Sequence, residues 1–273
     1  MAVVEPITPG FAILEGPVWY DGALRMSHIG STSSDGSPSV SDLVEWRDGQ
    51  ISVVQSNFGS NGLTLDRNGD LLAARQIDGT VTRVETGEIL AGHYNGVRFN
   101  SPNDLIVSSS GDVYFSDPDW QSPNPNPQNA ERAYHIHTDG NVTTFGPQIT
   151  KPNGVMLSFD EEFLYVGGSN GLYKFSVNAD RSIIDGGIRI QSNRIPSDVD
   201  GMSKDCAGNI YVVAQSNVFI LEAQTDNVLA SYYIEGLTNI AFGGVDGKTL
   251  YATTLGSQPK LHSATVNISG FPF

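Results

Sequence analysis

"NDLIVSSSGDVYFS", residues 103–116, is a strand, a tight turn and a second strand, and the fold follows from it. Leu105-Ile106-Val107 and Val113-Tyr114-Phe115 are short apolar runs of β-branched and aromatic residues, the composition of strands. The Ser-Ser-Ser-Gly-Asp between them supplies the small and polar residues that a turn demands. A polar pair, Asn103-Asp104, opens the unit. The same template recurs as "NGLTLDRNGDLLAA" from Asn61, "NGVMLSFDEEFLYVGG" from Asn153 and "DGMSKDCAGNIYVVA" from Asp200. Looser copies are "EGPVWYDGALRMSHI" from Glu15 and "TNIAFGGVDGKTLYATT" from Thr238. The starts lie 46, 42, 50, 47 and 38 residues apart.

A repeat of about 40–50 residues built from about four short strands is one propeller blade. Six copies fill residues 1–273 and leave no room for a second domain. The expectation is therefore an all-β fold: a single six-bladed β-propeller domain of four-stranded antiparallel blades with an axial metal site. Gly (30) and Pro (14) make up about one residue in six of the 273, which excludes a helical bundle. Turn pairs Asn68-Gly69, Asp139-Gly140 and Asp246-Gly247 tolerate the positive φ of tight hairpins. Segment 1–13 is expected to pair with the last blade and close the ring. The proline-rich stretch 117–133, "DPDWQSPNPNPQNAERA", reads as a loop lying over one end of the propeller.

In a propeller, equivalent residues of each blade form a ring at one depth. Here that ring is Glu15, Asn61, Asn103, Asn153, Asp200 and Thr238. Carboxylates facing one another in a buried place are costly unless protonated or neutralised by a cation. Carboxylate and amide oxygens suit a hard divalent ion, and the ring offers neither thiolate nor imidazole for a softer one. One divalent cation is expected, calcium first, with zinc, magnesium or manganese as alternatives.

The formal charge of −15 opposes nucleic acid and anionic membrane surfaces as partners. No apolar run reaches the ~18 residues of a membrane span, and no signal peptide is visible. The compartment stays open: a soluble cytoplasmic protein is favoured, with a periplasmic or secreted one allowed if a leader was removed. A monomer or weak homo-oligomer is expected. The single cysteine, Cys206, excludes an internal disulfide and reads as structural.

"LEGPVW", "RFNSPNDLIVSSSGDVYFSDP", "KPNGVMLSFDEEFLYVG", "DGMSKDCAGNIYVVA" and "LTNIAFGGVDGKTLYAT", in this order, resemble the senescence-marker-protein/gluconolactonase/luciferin-regenerating family of six-bladed propellers. The resemblance spans residues ~10 to 273, including the ending Gly270-Phe271-Pro272-Phe273. It implies metal-dependent hydrolysis of a small-molecule lactone or related ester. By motif, Glu15 of "EGP", Asn153 of "KPNG" and Asp200 of "DG" are implied metal ligands, and Asn103 of "SPND" a fourth ligand or substrate contact. Arg98 and Asn61 are further candidate substrate contacts, and Trp120 in the loop a cap. His28, and Arg75-Gln76, depart from residues common in the family near where a substrate would approach.

The mechanism expected from this ring has the lactone carbonyl polarised by the metal, with Asp200 as general base activating water. Direct attack by Asp200 is the alternative. Rival readings are an organophosphate hydrolase acting at the same site and a non-catalytic calcium- or ligand-binding propeller. Three other patterns read as ordinary structure. Gly167–Gly171 mimics a nucleophile elbow but lies in a hairpin, and Asp66–Asp70 mimics a calcium loop but reads as a blade turn. His135 and His137 share a strand face, a spacing compatible with a metal pair, but no third ligand is apparent from sequence.

Overall fold

The computed structural model describes residues 12–30, 40–184, 186–191 and 193–271. The described residues contain strands, turns and irregular segments and no helix, hence none long and apolar enough to cross a membrane. The strands run as hairpins between turns whose Gly69, Gly140 and Gly247 have φ of 84°, 83° and 68°. Such positive φ costs glycine nothing and other residues a steric clash.

Four of the repeats form separate four-stranded antiparallel sheets. They start at the strands Leu63–Leu65, Leu105–Val107, Val155–Leu157 and Val199–Lys204. The first and last repeats do not stand apart. Ala12–Tyr20, Ala23–Ile29, Ser41–Arg47 and Gln50–Gln55 join Leu237–Gly243, Thr249–Gly256 and Leu261–Thr265 in one seven-stranded sheet. The joint is the pairing Ala12↔Gly256 and Ile13↔Leu255. The expectation of six separate four-stranded blades is thereby corrected to four separate blades and one merged sheet. The physical reason is that the chain's two ends hydrogen-bond to each other where the ring shuts. Residues 12 and 13 pair as expected of the N-terminal segment; the rest of that segment, 1–11, and Pro272-Phe273 lie outside the described residues.

The architecture is an all-β propeller. The inner strands touch in a closed cycle: Ala12–Tyr20 meets Leu63–Leu65, which meets Leu105–Val107, then Val155–Leu157, Val199–Lys204, Leu237–Gly243 and again Ala12–Tyr20. The apolar core lies between neighbouring sheets. Tyr114, Tyr165 and Phe175, all fully buried, belong to one cluster that spans the third to fifth repeats. Each such side chain contributes roughly 1.5–3 kcal/mol by leaving water. Two of the buried tyrosines pair their hydroxyls: Tyr114 donates to Arg181 O (2.7 Å) and Tyr165 to Asp226 Oδ1 (2.6 Å).

Candidate active site

Every repeat interrupts its inner strand at the predicted ring position. In three repeats a residue pair faces a single partner: Asn61-Gly62 brackets Ala74, Asn103-Asp104 brackets Ser116, and Asn153-Gly154 brackets Gly167. In the others the register shifts between Glu15 and Val18, Val199 and Met202, and Leu237 and Asn239. Two residues opposing one is a β-bulge, and it breaks the strict alternation of side chains. Consecutive side chains can then both approach the axis.

The second position of the template decides how closely the strands meet. It is glycine at 16, 62, 154 and 201, and Asp104 and Asn239 in the other two repeats. A Cβ at Gly154 would overlap the carbonyl oxygen of Asp200, and one at Gly201 would overlap the Asn239 amide. A Cβ at Gly62 would lie 2.8 Å from Asp104 Oδ1. The glycines thus leave the space that the Asp104 and Asn239 side chains occupy.

The result is a cluster of carboxyl and amide groups from distant parts of the chain. Asn239 Nδ2 donates to Glu15 Oε2 at 3.1 Å across 224 residues, and the same amide favours the charged form of Asp104. Gly16 N–H donates to the same Glu15 oxygen at 3.1 Å. Burial, then the charges of Asp200 and Asp104, push Glu15 well above the usual carboxylate range, against the two hydrogen bonds. Burial lifts Asp104 to about 7. Burial and the Asp104 charge lift Asp200 to about 7, while the Asn153 side chain and Gly201 N–H favour its charged form. Asp200 Oδ1 is sealed from solvent without a hydrogen-bond partner. A narrow axial cavity of about 40 Å³ adjoins the cluster, with Asp104 and Asn239 in its wall.

Three carboxyl groups in one enclosure and an unpartnered carboxylate oxygen fit a divalent cation by the chemistry of the donor set. An isolated buried carboxylate costs several kcal/mol, and a hard ion removes that cost through oxygen ligands.

Glu15, Asp104, Asp200, Asn153 and Asn239 are brought together. Asp104 and Asn239 were missed, although they are the two departures from glycine at the template's second position. Thr238, placed on the ring by sequence, donates its hydroxyl to Leu14 O (2.7 Å) with Thr253 Oγ1 3.0 Å from its oxygen, and Asn239 faces Glu15 instead. Asn103 is buried beside Asp104. Asn61 is buried with its amide on Gln76 Oε1 at 3.0 Å. His28 is buried with Nε2 unpartnered, and burial lowers its pKa. The Arg98 guanidinium is taken up by the backbone carbonyls of Ile77, Asp78, Phe99 and Asn100. Trp120 is 53% exposed, with the Lys151 ammonium 5.0 Å from its ring centroid.

Lys151, two residues before Asn153, was not foreseen as a link to the loop. Its ammonium pairs with Asp119 and, at 3.4 Å, with Glu131, while its N–H donates to Glu131 Oε2 at 2.9 Å. Both ends of the proline-rich loop are thereby tied to the segment that carries Asn153. At the loop's entry, Asp117 accepts the N–H groups of Asn100 (2.8 Å) and Ser101 (2.7 Å) and fixes the turn leading to Asn103. The calcium-loop mimic is filled by protein: Arg83 Nη1 lies 2.6 Å from Asp66 Oδ2 and 2.7 Å from Asp70 Oδ2.

The profile of the SMP-30/Gluconolactonase/LRE-like region matches residues 15–256, from Glu15 to the pairing that shuts the ring. The chain belongs to this family. Similar proteins include a gluconolactonase of Zymomonas mobilis, 26% identical over 235 residues. That match covers 76% of this chain but 64% of the relative, so the chain spans less than two thirds of that protein's length. A pentonolactonase of Haloferax volcanii is 26% identical over 276 residues, covering 94% of this chain and 87% of the relative. A solved gluconolactonase from Xanthomonas campestris superposes with a TM-score of 0.74 at 20% identity, covering 98% of this chain and 97% of that one. A calcium-binding regucalcin from Agrobacterium tumefaciens gives 0.71 at 20% identity, covering 98% and 94%. At these identities the two structures speak for the fold.

Proposed function

We propose that this chain is a cation-dependent lactonase acting on a small sugar-derived lactone. The observation that carries the reading is the enclosure of Glu15, Asp104 and Asp200, with Asp200 Oδ1 buried and unpartnered. Membership of the family, and the lactone substrates in the names of the two relatives, support it. We read the closed cycle of inner strands as six blades, the merged sheet counting as two, in a single domain over 1–273.

Glu15, Asn153 and Asp200 are the proposed ligands of one divalent cation, calcium first, with Asn103 as a fourth ligand or substrate contact. Asn239 orients Glu15 through its hydrogen bond, and Asp104 stands in the same enclosure. When bound, the cation supplies Lewis-acid polarisation of the lactone carbonyl. Asp200 accepts a proton from the attacking water as the water oxygen bonds to the carbonyl carbon. The acyl–oxygen bond of the ring then breaks. The proton passes to the departing ring oxygen, giving a hydroxy acid. Trp120, braced by Lys151, caps the substrate from the loop. Arg98 acts at one remove, by holding the turn before Asn100 through backbone carbonyls.

The test is lactone hydrolysis followed by proton release, in wild type and in Asp200→Asn, before and after chelation. Turnover that depends on a divalent ion and is lost in Asp200→Asn supports the proposal. Turnover that survives both overturns it. A chain that gains stability from calcium yet opens no aldonolactone is a binding protein instead.

A further inference from the structure

At the other end of the third sheet from Asn103, the structure supplies the partner that the sequence did not reveal for His135 and His137. Asp112 opens the strand Val113–Asp117, and His135 lies on the neighbouring strand Arg132–Ile136, with His137 just beyond its end. His135 Nε2 is 2.9 Å from Asp112 Oδ1. One donor atom from each of Asp112, His135 and His137 lies within 4.8 Å of the other two. Asp112 stands four residues along the strand from Ser116, which faces the axial bulge. That is roughly 13 Å at the rise of a strand.

We propose that Asp112, His135 and His137 form a second metal site, for a borderline divalent transition ion of the zinc class, separate from the axial cluster.

Three features support a site rather than ordinary packing. First, His135 is 1% exposed and its Nε2 lies against the buried Asp112 carboxylate, so an imidazole nitrogen and a carboxylate oxygen already face each other away from bulk water. Second, the other Asp112 oxygen is held by Ser110 Oγ at 2.6 Å, the kind of outer contact that orients a ligating carboxylate. Third, the His135 and His137 rings lie 3.7 Å apart between centroids, which brings both imidazoles to one spot on the sheet face.

Bonds of about 2.0–2.1 Å to a tetrahedral ion put donor atoms roughly 3.3 Å apart. The Asp112–His135 pair is already near that spacing. The remaining adjustment falls to His137, which is only partly buried and now bonds Thr143 Oγ1 at 3.1 Å. Two imidazoles with one carboxylate select zinc, cobalt, nickel or copper over calcium.

The experiment uses the full chain without a polyhistidine tag, stripped by a chelator, loaded with excess Ca²⁺ and titrated with Co²⁺ alone. The expected result is a visible d–d absorption that excess Ca²⁺ does not displace. His137→Ala should weaken the cobalt affinity at least about 10-fold. Its melting temperature without metal and its lactone turnover should stay at the wild-type level. His135→Gln provides an independent second variant. No absorption, displacement by calcium, or equal cobalt binding in wild type and His137→Ala would overturn the site. None of these outcomes depends on the axial reading.

Discussion

Removing divalent ions should make stability depend on pH in a way that restoring calcium abolishes. Asp104 carries the calculation because it is almost wholly buried and its carboxyl is lifted from 3.8 to about 7. The sign follows from proton binding. The folded state keeps a proton that the unfolded state has lost, so this contribution is fully present below about pH 4. It fades as pH rises and is gone above about pH 7. A shift from 3.8 to about 7 corresponds to roughly 4 kcal/mol at most, and between pH 5 and 8 to about 3 kcal/mol. Glu15 and Asp200 share the enclosure and titrate with Asp104, so we count one carboxyl as a lower bound. At ~2–4 °C per kcal/mol, the chelated protein should lose about 6–12 °C in melting temperature between pH 5 and 8 relative to the calcium-loaded protein. Differential scanning calorimetry of both forms across that range measures it. Taking the difference between the forms cancels groups remote from the cluster, such as His28 and His135, whose lowered pKa acts in the opposite direction. A gap that stays constant or narrows as pH rises refutes the shared burial of these carboxyls.

Asp200→Asn should keep the fold and lose at least about 100-fold in kcat for lactone hydrolysis, measured by steady-state proton release. Asp104→Asn should raise the melting temperature of the chelated protein at pH 8 while weakening its calcium affinity, read by calorimetric titration. Gly201→Ala forces a methyl group into the Asn239 amide and should cost roughly 1–3 kcal/mol in denaturant unfolding, with loss of calcium binding. Lys151→Met removes the ammonium's pairing with Asp119 and Glu131, leaving only the backbone bond to Glu131, and should raise KM several-fold more than it lowers kcat.

The strand–turn–strand template is local, so it is legible in single stretches such as Asn103–Ser116. Its recurrence also singled out Glu15, Asn153 and Asp200, and the structure sets Asp200 close enough to Glu15 to raise its pKa and beside Asn153. The same register argument misplaced Thr238, because a bulge decides which of two consecutive residues faces the axis, and that depends on the partner strand. Arg98 reads in sequence as a substrate contact, and the carbonyls that absorb it belong partly to Ile77 and Asp78, some 20 residues away. His135 and His137 lacked a third partner on paper because Asp112 lies on the adjoining strand.

The amino-acid sequence alone determined the strand periods, the turn chemistry, the repeat spacing and the excess of negative charge, since each is a property of neighbouring residues. Tertiary structure decided that Asn239 meets Glu15 across 224 residues, that Lys151 fastens the loop, and that the first and last repeats merge into one sheet. These depend on which strand edges and side chains meet when the ring shuts. No local pattern encodes that meeting, because it is set by packing between sheets made from remote parts of the chain.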